Sequence, residues 1–496
     1  MKKQSPTVKI TSVTALILII AMLMCMAMSC ADNNQPNDTP DSSGSVSVAE
    51  TSADAVTTDE NRYDENGFLR DSLPEKTNLD TEIVMLYWSD VYFTEFFAED
   101  TGNAVDSAIN RRNSKVEDRL GVKINFEGTP GNNANRNSYV AKIRAAYDAG
   151  NTYDIYAGYT LAMATTATSG FCANMLDYEA LDFTAPWWPS SLVKEATIND
   201  KLFIVTGDLS TNLIYLMYVI YFNKTLITDL GLEDPYECVD GNTWTYEKMI
   251  KMAHSLDGRQ SSSEPIYGFV ANTMHTDPFF YGAGLRTIER DADGVPVISE
   301  KYNSERTQDV VTLVAEFLAD PICRIDSKCN DTFKSGNSLF IMTLASYATQ
   351  NLTDSTLQYG IAPIPKYTTD QDTFSTCFGF STTFYALSGA APHPEEAAMT
   401  LECLSSEGYR IITPVLFEVT MKTRYTTDPV AARTFDTARA GVIFDLGRIY
   451  SDALGNLTFL TFRNCICKNQ PNFARSYIAS ESTLKSKLDE MIKAFQ

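Results

Sequence analysis

The stretch "TEIVMLYW" at residues 81–88, followed by "GNAVDSAINRRNSKVEDRLG" at 102–121 and "VKINFEG" at 122–128, decides the fold class. The first is an apolar run of strand length. In the second, Val105, Ile109, Val116 and Leu120 fall on one helical face, and Gly121 supplies the stop. The third reads as a strand again. A second helix near 136–149 carries Val140, Ile143 and Tyr147 at helical spacing and ends at Gly150, before "YDIYAGY" (153–159) as a third strand. Strand, helix, strand, helix, strand is the pattern of an α/β lobe built on a mostly parallel sheet.

Downstream, "KLFIVTGD" (201–208) and "NLIYLMYVIYFN" (212–223) read as two strands with a turn between them. A short helix then ends near Gly231, and another runs from about Tyr246 to Ser255 with Thr245 as its N-cap. "DADGVPVI" (291–298) places Asp-Gly between extended stretches and reads as a hairpin. It lacks the acids and closing Glu of a calcium loop. "YGIAPIPKY" (359–367) is a strand stopped by prolines, and helices are expected over most of 383–445 and 475–496. No internal repeat is evident.

Upstream of the lobe, Lys2, Lys3 and Lys9 precede an apolar run from Val13 to Met28, broken only by Thr14. This is the layout of a secretory signal, short for a helix that needs roughly 20 residues to cross a bilayer. Ala27 and Ser29 lie just before Cys30 and Ala31 follows it, an imperfect match to a bacterial lipobox in which cleavage leaves Cys30 as a lipidated N-terminus. An uncleaved signal anchor or an ordinary secretory peptide are the alternatives, and either one exports the chain. Residues 31–60 hold seven acids, no Lys or Arg and no aromatic residue, so they read as a disordered acidic tether. Its reach as a flexible coil is about 30 Å.

The rest is ample for two or three domains, with 44% hydrophobic residues to fill a core. A net charge of −23 repels nucleic acid and anionic head groups and favours neutral ligands. Eight cysteines (Cys172, Cys238, Cys323, Cys329, Cys377, Cys403, Cys465 and Cys467) remain besides Cys25 and Cys30. They show no zinc spacing, are too dispersed to act as a disulfide scaffold, and read as buried free thiols. No nucleophile elbow, zinc-protease helix, phosphate loop or dinucleotide fingerprint is present. His254, His275 and His393 are isolated in sequence. No catalytic residue, metal ligand or cofactor is assigned, although 63 acidic residues leave room for a glycosidase pair that nothing marks.

Aromatic residues cluster instead at predicted strand ends. Trp88 closes the first strand, with Tyr92 and Glu95 beyond it; "APWWPSS" (185–191) holds Trp187 and Trp188; Trp244 precedes a helix; "FFYGAGLR" (279–286) contributes Tyr281 and Arg286. Ligands of open α/β sheets sit beyond the carboxyl ends of the strands, and flat rings suit the C–H faces of sugars. The alternative is that these aromatics are packing anchors.

From "EIVMLYW" and "AVDSAINRRNSKVEDRLGVKINF" onward the chain resembles the extracellular solute-binding family 1 proteins, the lipid-anchored receptors of ABC importers, mostly for sugars. The likeness runs through "PWWPSSLVKEATINDKLFIVTGDLS", "YFNKTLITDLGLEDPYE", "TWTYEKMIKMA", "FFYGAGLR", "YGIAPIPKY" and "PVLFEVTMKTRYTTDP" to "FDLGRIY", nearly all of 80–455. The resemblance implies a type II periplasmic-binding-protein-like fold, two α/β lobes joined by a hinge around an interlobe cleft. The implied division is a signal peptide over 1–29, lipidated Cys30 and tether over 30–60, lobe one over 61–207 and 363–425, and lobe two over 208–362 and 426–496. Crossovers are expected near 208–212, 359–364 and 425. The family pattern further implies Trp88 and Glu95 on lobe one, Trp187 or Trp188 at the cleft rim, and Tyr281 and Arg286 on lobe two. Asp154 and Asn223 match recurrent family positions as well, for which the resemblance leaves two roles open, orienting backbone or touching ligand. The implied protein is a monomer held outside the cytoplasmic membrane by its lipid, with a carbohydrate ligand and permease subunits as partners. A receptor for an oligopeptide or other small polar solute, and a surface glycoside hydrolase or glycan-tethering protein, stand as alternatives.

Overall fold

The computed structural model describes residues 62–150, 152–416 and 429–496. The signal segment, Cys30, the acidic tether and the crossover expected near 425 lie outside these residues. Among the described residues no helix is long and apolar enough to cross a membrane.

One sheet has four strands in the order β11-β3-β1-β2. β1 (Thr81–Trp88) pairs in parallel with β2 (Val122–Thr129) and with β3 (Ile155–Tyr159), while β11 (Thr383–Leu387) runs antiparallel to β3. The helix Ala104–Leu120 crosses from β1 to β2. Asn103 caps its start by accepting from the Val105 and Asp106 amides, and Val105, Ala108, Ile109, Arg112, Val116 and Leu120 form its buried face. Gly121 ends it at φ 66°, where a Cβ would also lie 2.6 Å from Asn78 Oδ1. A second helix, Arg136–Asp148, returns the chain to β3.

The other sheet has five strands in the order β10-β4-β9-β5-β8. β5 (Tyr267–Ala271) is parallel to β8 (Cys323–Ile325) and β9 (Ser338–Leu344); β4 (Tyr218–Asn223) is antiparallel to β9 and to β10 (Tyr359–Ala362). β6 (Ile288–Arg290) and β7 (Pro296–Ile298) form the expected hairpin, with Gly294 at φ 80°. The helix Tyr246–Ala253 starts where expected, with Thr245 Oγ1 accepting from the Lys248 amide.

Two expectations are corrected. The run 201–208 makes only isolated bridges, Ile198 to Lys201 and Val205 to Tyr385, and the helix Thr211–Tyr215 replaces the first half of the second expected strand. A short run buried on all sides carries no period that tells helix from strand. β11 lies in a region read as helical; its partner β3 is more than 200 residues away, so nothing local announces it.

The chain leaves the four-stranded sheet after Val205 and enters the five-stranded one at β4. It comes back between β10 and β11. Later segments pack against both sheets. The helix Pro394–Glu407 lies against β1, and Leu457–Cys467 against the helix Glu305–Ala319. All eight cysteines among the described residues are free.

Candidate functional site

β11 begins beside the carboxyl ends of β1 and β3, where Trp88 Nε1 donates to Thr383 Oγ1 and Thr383 pairs with Tyr159. Asp277 stands just past β5, at the start of the helix Pro278–Gly282. Its carboxylate is shared by two arginines. Arg448 Nη1 donates to Oδ2 at 3.1 Å, while Arg463 Nε donates to Oδ1 at 2.7 Å and its Nη2 to Oδ2 at 2.5 Å. Each guanidinium also lies over a phenylalanine ring, Arg448 at 4.1 Å from the Phe380 centroid and Arg463 at 4.7 Å from that of Phe459. The two rings meet at 5.2 Å. Asp277, Arg448, Phe380, Phe459 and Arg463 thus close a ring of contacts, with Phe380 supplied by the segment entering β11 and the others from beyond β5.

Local chemistry sets this geometry. Asp445 accepts from the Thr287 amide at 2.9 Å and from Thr287 Oγ1 at 2.5 Å, which pins the short helix Leu446–Ile449. Gly447 makes that approach possible, since a Cβ there would lie 1.8 Å from Thr287 Oγ1. Arg448 is then carried into the interior, 0% exposed, where its Nε donates to Phe378 O at 2.8 Å. Among the described residues its Nη2 finds no hydrogen-bond partner, and neither do the buried Thr382 Oγ1, Tyr450 OH and Ser451 Oγ. The helix Leu446–Ile449 touches the helix Thr160–Thr168 that follows β3. Nearby, Arg136 Nε and Asp452 Oδ2 join the two sides at 2.8 Å. Buried polar atoms are nearly always paired, so the unpaired Nη2 of Arg448 leaves this cluster a donor for a polar guest. The partly exposed rings add apolar faces. Binding a polyhydroxylated ligand is the chemistry this arrangement can do.

A cavity of about 480 Å³ occupies another flank of the first crossover, lined by Pro186, Pro189, Asp208, Ser210, Arg439 and Phe444 among others. Asp208 Oδ1 accepts from Thr413 Oγ1 at 2.6 Å and faces Arg439 Nη2 at 3.5 Å, tying that crossover to residues on either side of the undescribed segment 417–428. Among the described residues no group of three or more His, Cys, Asp and Glu side chains could hold a metal ion.

The residues singled out from sequence are distributed differently. Trp88 is 0% exposed; its Nε1 donates to Thr383 Oγ1 at 3.0 Å and its ring meets Tyr159 edge-on at 5.7 Å. The expectation that the ring opens onto the gap is corrected, because the chain after β2 folds over it, bringing Gly131 against its Cβ. Trp187 and Trp188 are not at a rim. Both are buried, donating to the two oxygens of Glu402 at 3.0 and 2.9 Å, and burial pushes the Glu402 carboxyl up to about 8 against those two donors. Glu95 is 1% exposed and accepts from Tyr385, Ser210 and Asn212; burial outweighs these donors and raises its pKa. Trp244 is also a packing residue, donating to Pro363 O at 2.8 Å.

Asp154 and Asn223 orient backbone. Asp154 accepts from the Val84 and His393 amides at 2.9 Å each, and Asn223 caps the helix Lys224–Asp229. Tyr281 lies 6.0 Å from the Arg448 guanidinium, at the edge of the ring of contacts. Arg286 is half-buried, with Nη1 donating to Leu285 O. Sequence reading missed Asp277, Phe380, Arg448, Phe459 and Arg463. The available signal was "DLGR" at 445–448, a glycine between charged residues inside an otherwise apolar stretch.

Known structures share the fold. An ABC substrate-binding protein from Listeria monocytogenes, solved in complex with cycloalternan, is 15% identical with a TM-score of 0.52, over 84% of this chain and 99% of that one. The GacH receptor of Streptomyces glaucescens, solved unliganded and with acarbose, is 14% identical with a TM-score of 0.54, over 82% and 99%. The fold is therefore the type II periplasmic-binding-protein-like one, two α/β lobes with a cleft between them. No curated protein matches the chain. A family model described as bacterial extracellular solute-binding protein matches residues 116–411, and the protein belongs to that family.

Proposed function

We propose that this protein is a membrane-anchored extracellular receptor that captures a carbohydrate between its lobes and delivers it to an ABC permease. The observation that carries the reading is the ring of Asp277, Arg448, Phe380, Phe459 and Arg463, in which Arg448 Nη2 has no partner among the described residues. Phenyl rings stack on sugar C–H faces and fixed donors and acceptors satisfy hydroxyls. The ligands of the two structural neighbours, cycloalternan and acarbose, support the same class.

No bond needs to be made or broken. A ligand that touches both lobes favours the closed state by the difference in its affinity for closed and open forms. In this reading lobe one comprises 61–207 and 363–425, lobe two 208–362 and 426–496, and Asp208 sits in the hinge between them. Tyr281 borders the ligand and Arg286 lies further out on lobe two. Cys30 carries the lipid and the monomer hangs on the tether of 31–60.

A thermal-shift screen of the purified protein against mono- and oligosaccharides tests the ligand class. Ligand at 100 times its dissociation constant adds about 2.7 kcal/mol of stability. A screen in which peptides stabilise the protein and no sugar does would assign it to the other class of solute. For the anchor, Cys30→Ala is expected in the medium or as uncleaved precursor. Membrane-bound variant of normal mature size would remove the lipid from the reading.

A further inference from the structure

We propose that Tyr92 is the stacking platform for a neutral sugar ring, with Asp452 and Arg136 beside it taking the ring's hydroxyls. This rests on the carbohydrate reading above and adds to it a contact residue and a charge. The loop that leaves β1 holds four aromatic residues, Tyr92, Phe93, Phe96 and Phe97. Three of them are used within the fold. Phe93 stacks on Tyr215 at 4.1 Å, while Phe96 and Phe97 both meet Tyr87, at 4.7 and 5.7 Å. Tyr92 makes no ring contact and no hydrogen bond among the described residues, and it is 62% exposed. A single exposed apolar side chain is ordinary on a protein surface, so its setting decides what it is for.

That setting is fixed. Asp90, two residues earlier, accepts from the Gly131 and Asn132 amides at 2.9 and 3.0 Å and from Asn135 Nδ2 at 3.4 Å, which ties the loop to the start of the helix Arg136–Asp148. Arg136 opens that helix and is itself held, Nη1 by Asn133 O at 2.7 Å and Nε by Asp452 Oδ2 at 2.8 Å. The hydroxyl of Tyr159, at the end of β3, has Arg136, Tyr92 and Asp452 all within electrostatic range, so the exposed ring and the ion pair gather round one point. The ion pair is partly exposed, and neither Asp452 Oδ1 nor Arg136 Nη2 takes a hydrogen bond among the described residues. An acceptor and a donor therefore stand open near a flat ring. A sugar matches both, with a C–H face for the aromatic and hydroxyls for the pair. Asp452 is already neutralised by Arg136, and a sugar acid would add like charge to a protein of net charge −23, so the ring is a neutral one. In the proposed division Arg136 belongs to lobe one and Asp452 to lobe two, so a sugar held by both favours the closed state.

Isothermal titration of the purified protein with maltotriose, cellotriose, xylotriose, mannotriose and trigalacturonate tests this. At least one neutral trisaccharide is expected to bind, and trigalacturonate more weakly than it. Tyr92→Ala is expected to weaken that trisaccharide about tenfold, the worth of a stacked ring and the apolar area it covers. Its melting temperature should equal the parent's, because no other ring or hydrogen bond in the described residues depends on Tyr92. Tyr92→Phe keeps the ring and is expected to stay within about twofold of the parent. Asp452→Asn, which takes the charge from the acceptor, is expected to weaken the same sugar several-fold. Ile478→Ala is the control, a side chain 66% exposed on the helix Phe473–Lys493, and should leave affinity unchanged. Tyr92→Ala or Asp452→Asn binding as tightly as the control overturns the inference while sugar binding stands. So does a loss in Tyr92→Phe as large as in Tyr92→Ala, or trigalacturonate binding more tightly than every neutral sugar. A parent that binds none of the neutral sugars overturns the inference and the carbohydrate reading together.

Discussion

Asp277→Asn separates a structural ion pair from an ornamental one. The carboxylate holds Arg448 at 3.1 Å and Arg463 at 2.7 and 2.5 Å, and Arg448 is fully enclosed. Unit charges about 4 Å apart interact by roughly 4 kcal/mol at an effective dielectric of 20. The amide keeps the shape and one acceptor oxygen but removes the charge, leaving Arg448 buried without a counter-ion. Breaking one side of a buried pair costs about 3–5 kcal/mol. The expected loss of unfolding free energy lies in that range, read from urea denaturation followed by tryptophan fluorescence. Arg433→Gln is the control, because its partner Asp240 lies 3.3 Å away with both side chains more than half exposed. A pair so exposed is worth at most about 1 kcal/mol. Should Asp277→Asn cost no more than the control, the two arginines are held by their phenylalanine contacts and backbone bonds, and the electrostatic account of the site is wrong.

Three further outcomes follow from the packing. Trp88→Ala is expected to cost about 3–5 kcal/mol, since the ring is enclosed and bonded to Thr383; a melting temperature near the parent value would return Trp88 to the cleft surface. Glu402 titrates near 8 when folded against an ordinary value of 4.5, so its neutral form is favoured by the fold. Its contribution is complete below about pH 4.5 and is lost as pH rises towards 8; urea midpoints should fall between pH 5 and pH 8, and Glu402→Gln should flatten that slope. A rising or level midpoint in the parent would contradict the assignment. Thiol titration under denaturing conditions without reductant should find at least six of the eight cysteines from Cys172 to Cys467 free, and three or more disulfides would contradict the structure.

Legibility tracked the distance over which each feature is decided. The helix stop at Gly121, the Thr245 cap and the Asp293–Gly294 hairpin are settled by neighbours a few residues away, and each is readable from the chain. β11 is not, because its strand character comes from pairing with β3. Trp88 shows the same limit in a side chain. Its strand and its position at the strand end were correct, but whether the ring faces the gap depends on the loop after β2, which brings Gly131 over it.

The site is the extreme case. Asp277 and Arg463 are 186 positions apart in the numbering, and each arginine, read alone, is an ordinary surface charge. Aromatic pattern led to tryptophans that the fold spends on Glu402 and Thr383. The better guide was steric. A glycine wedged between Asp445 and Arg448 has no reason to be there unless backbone must come close to something, and here that something is Thr287. Once Gly447 is read as a point of close approach, its charged neighbours have to be taken inside with it. A charge forced inside needs partners, so the search for a site in such a chain starts at the buried arginine beside that glycine.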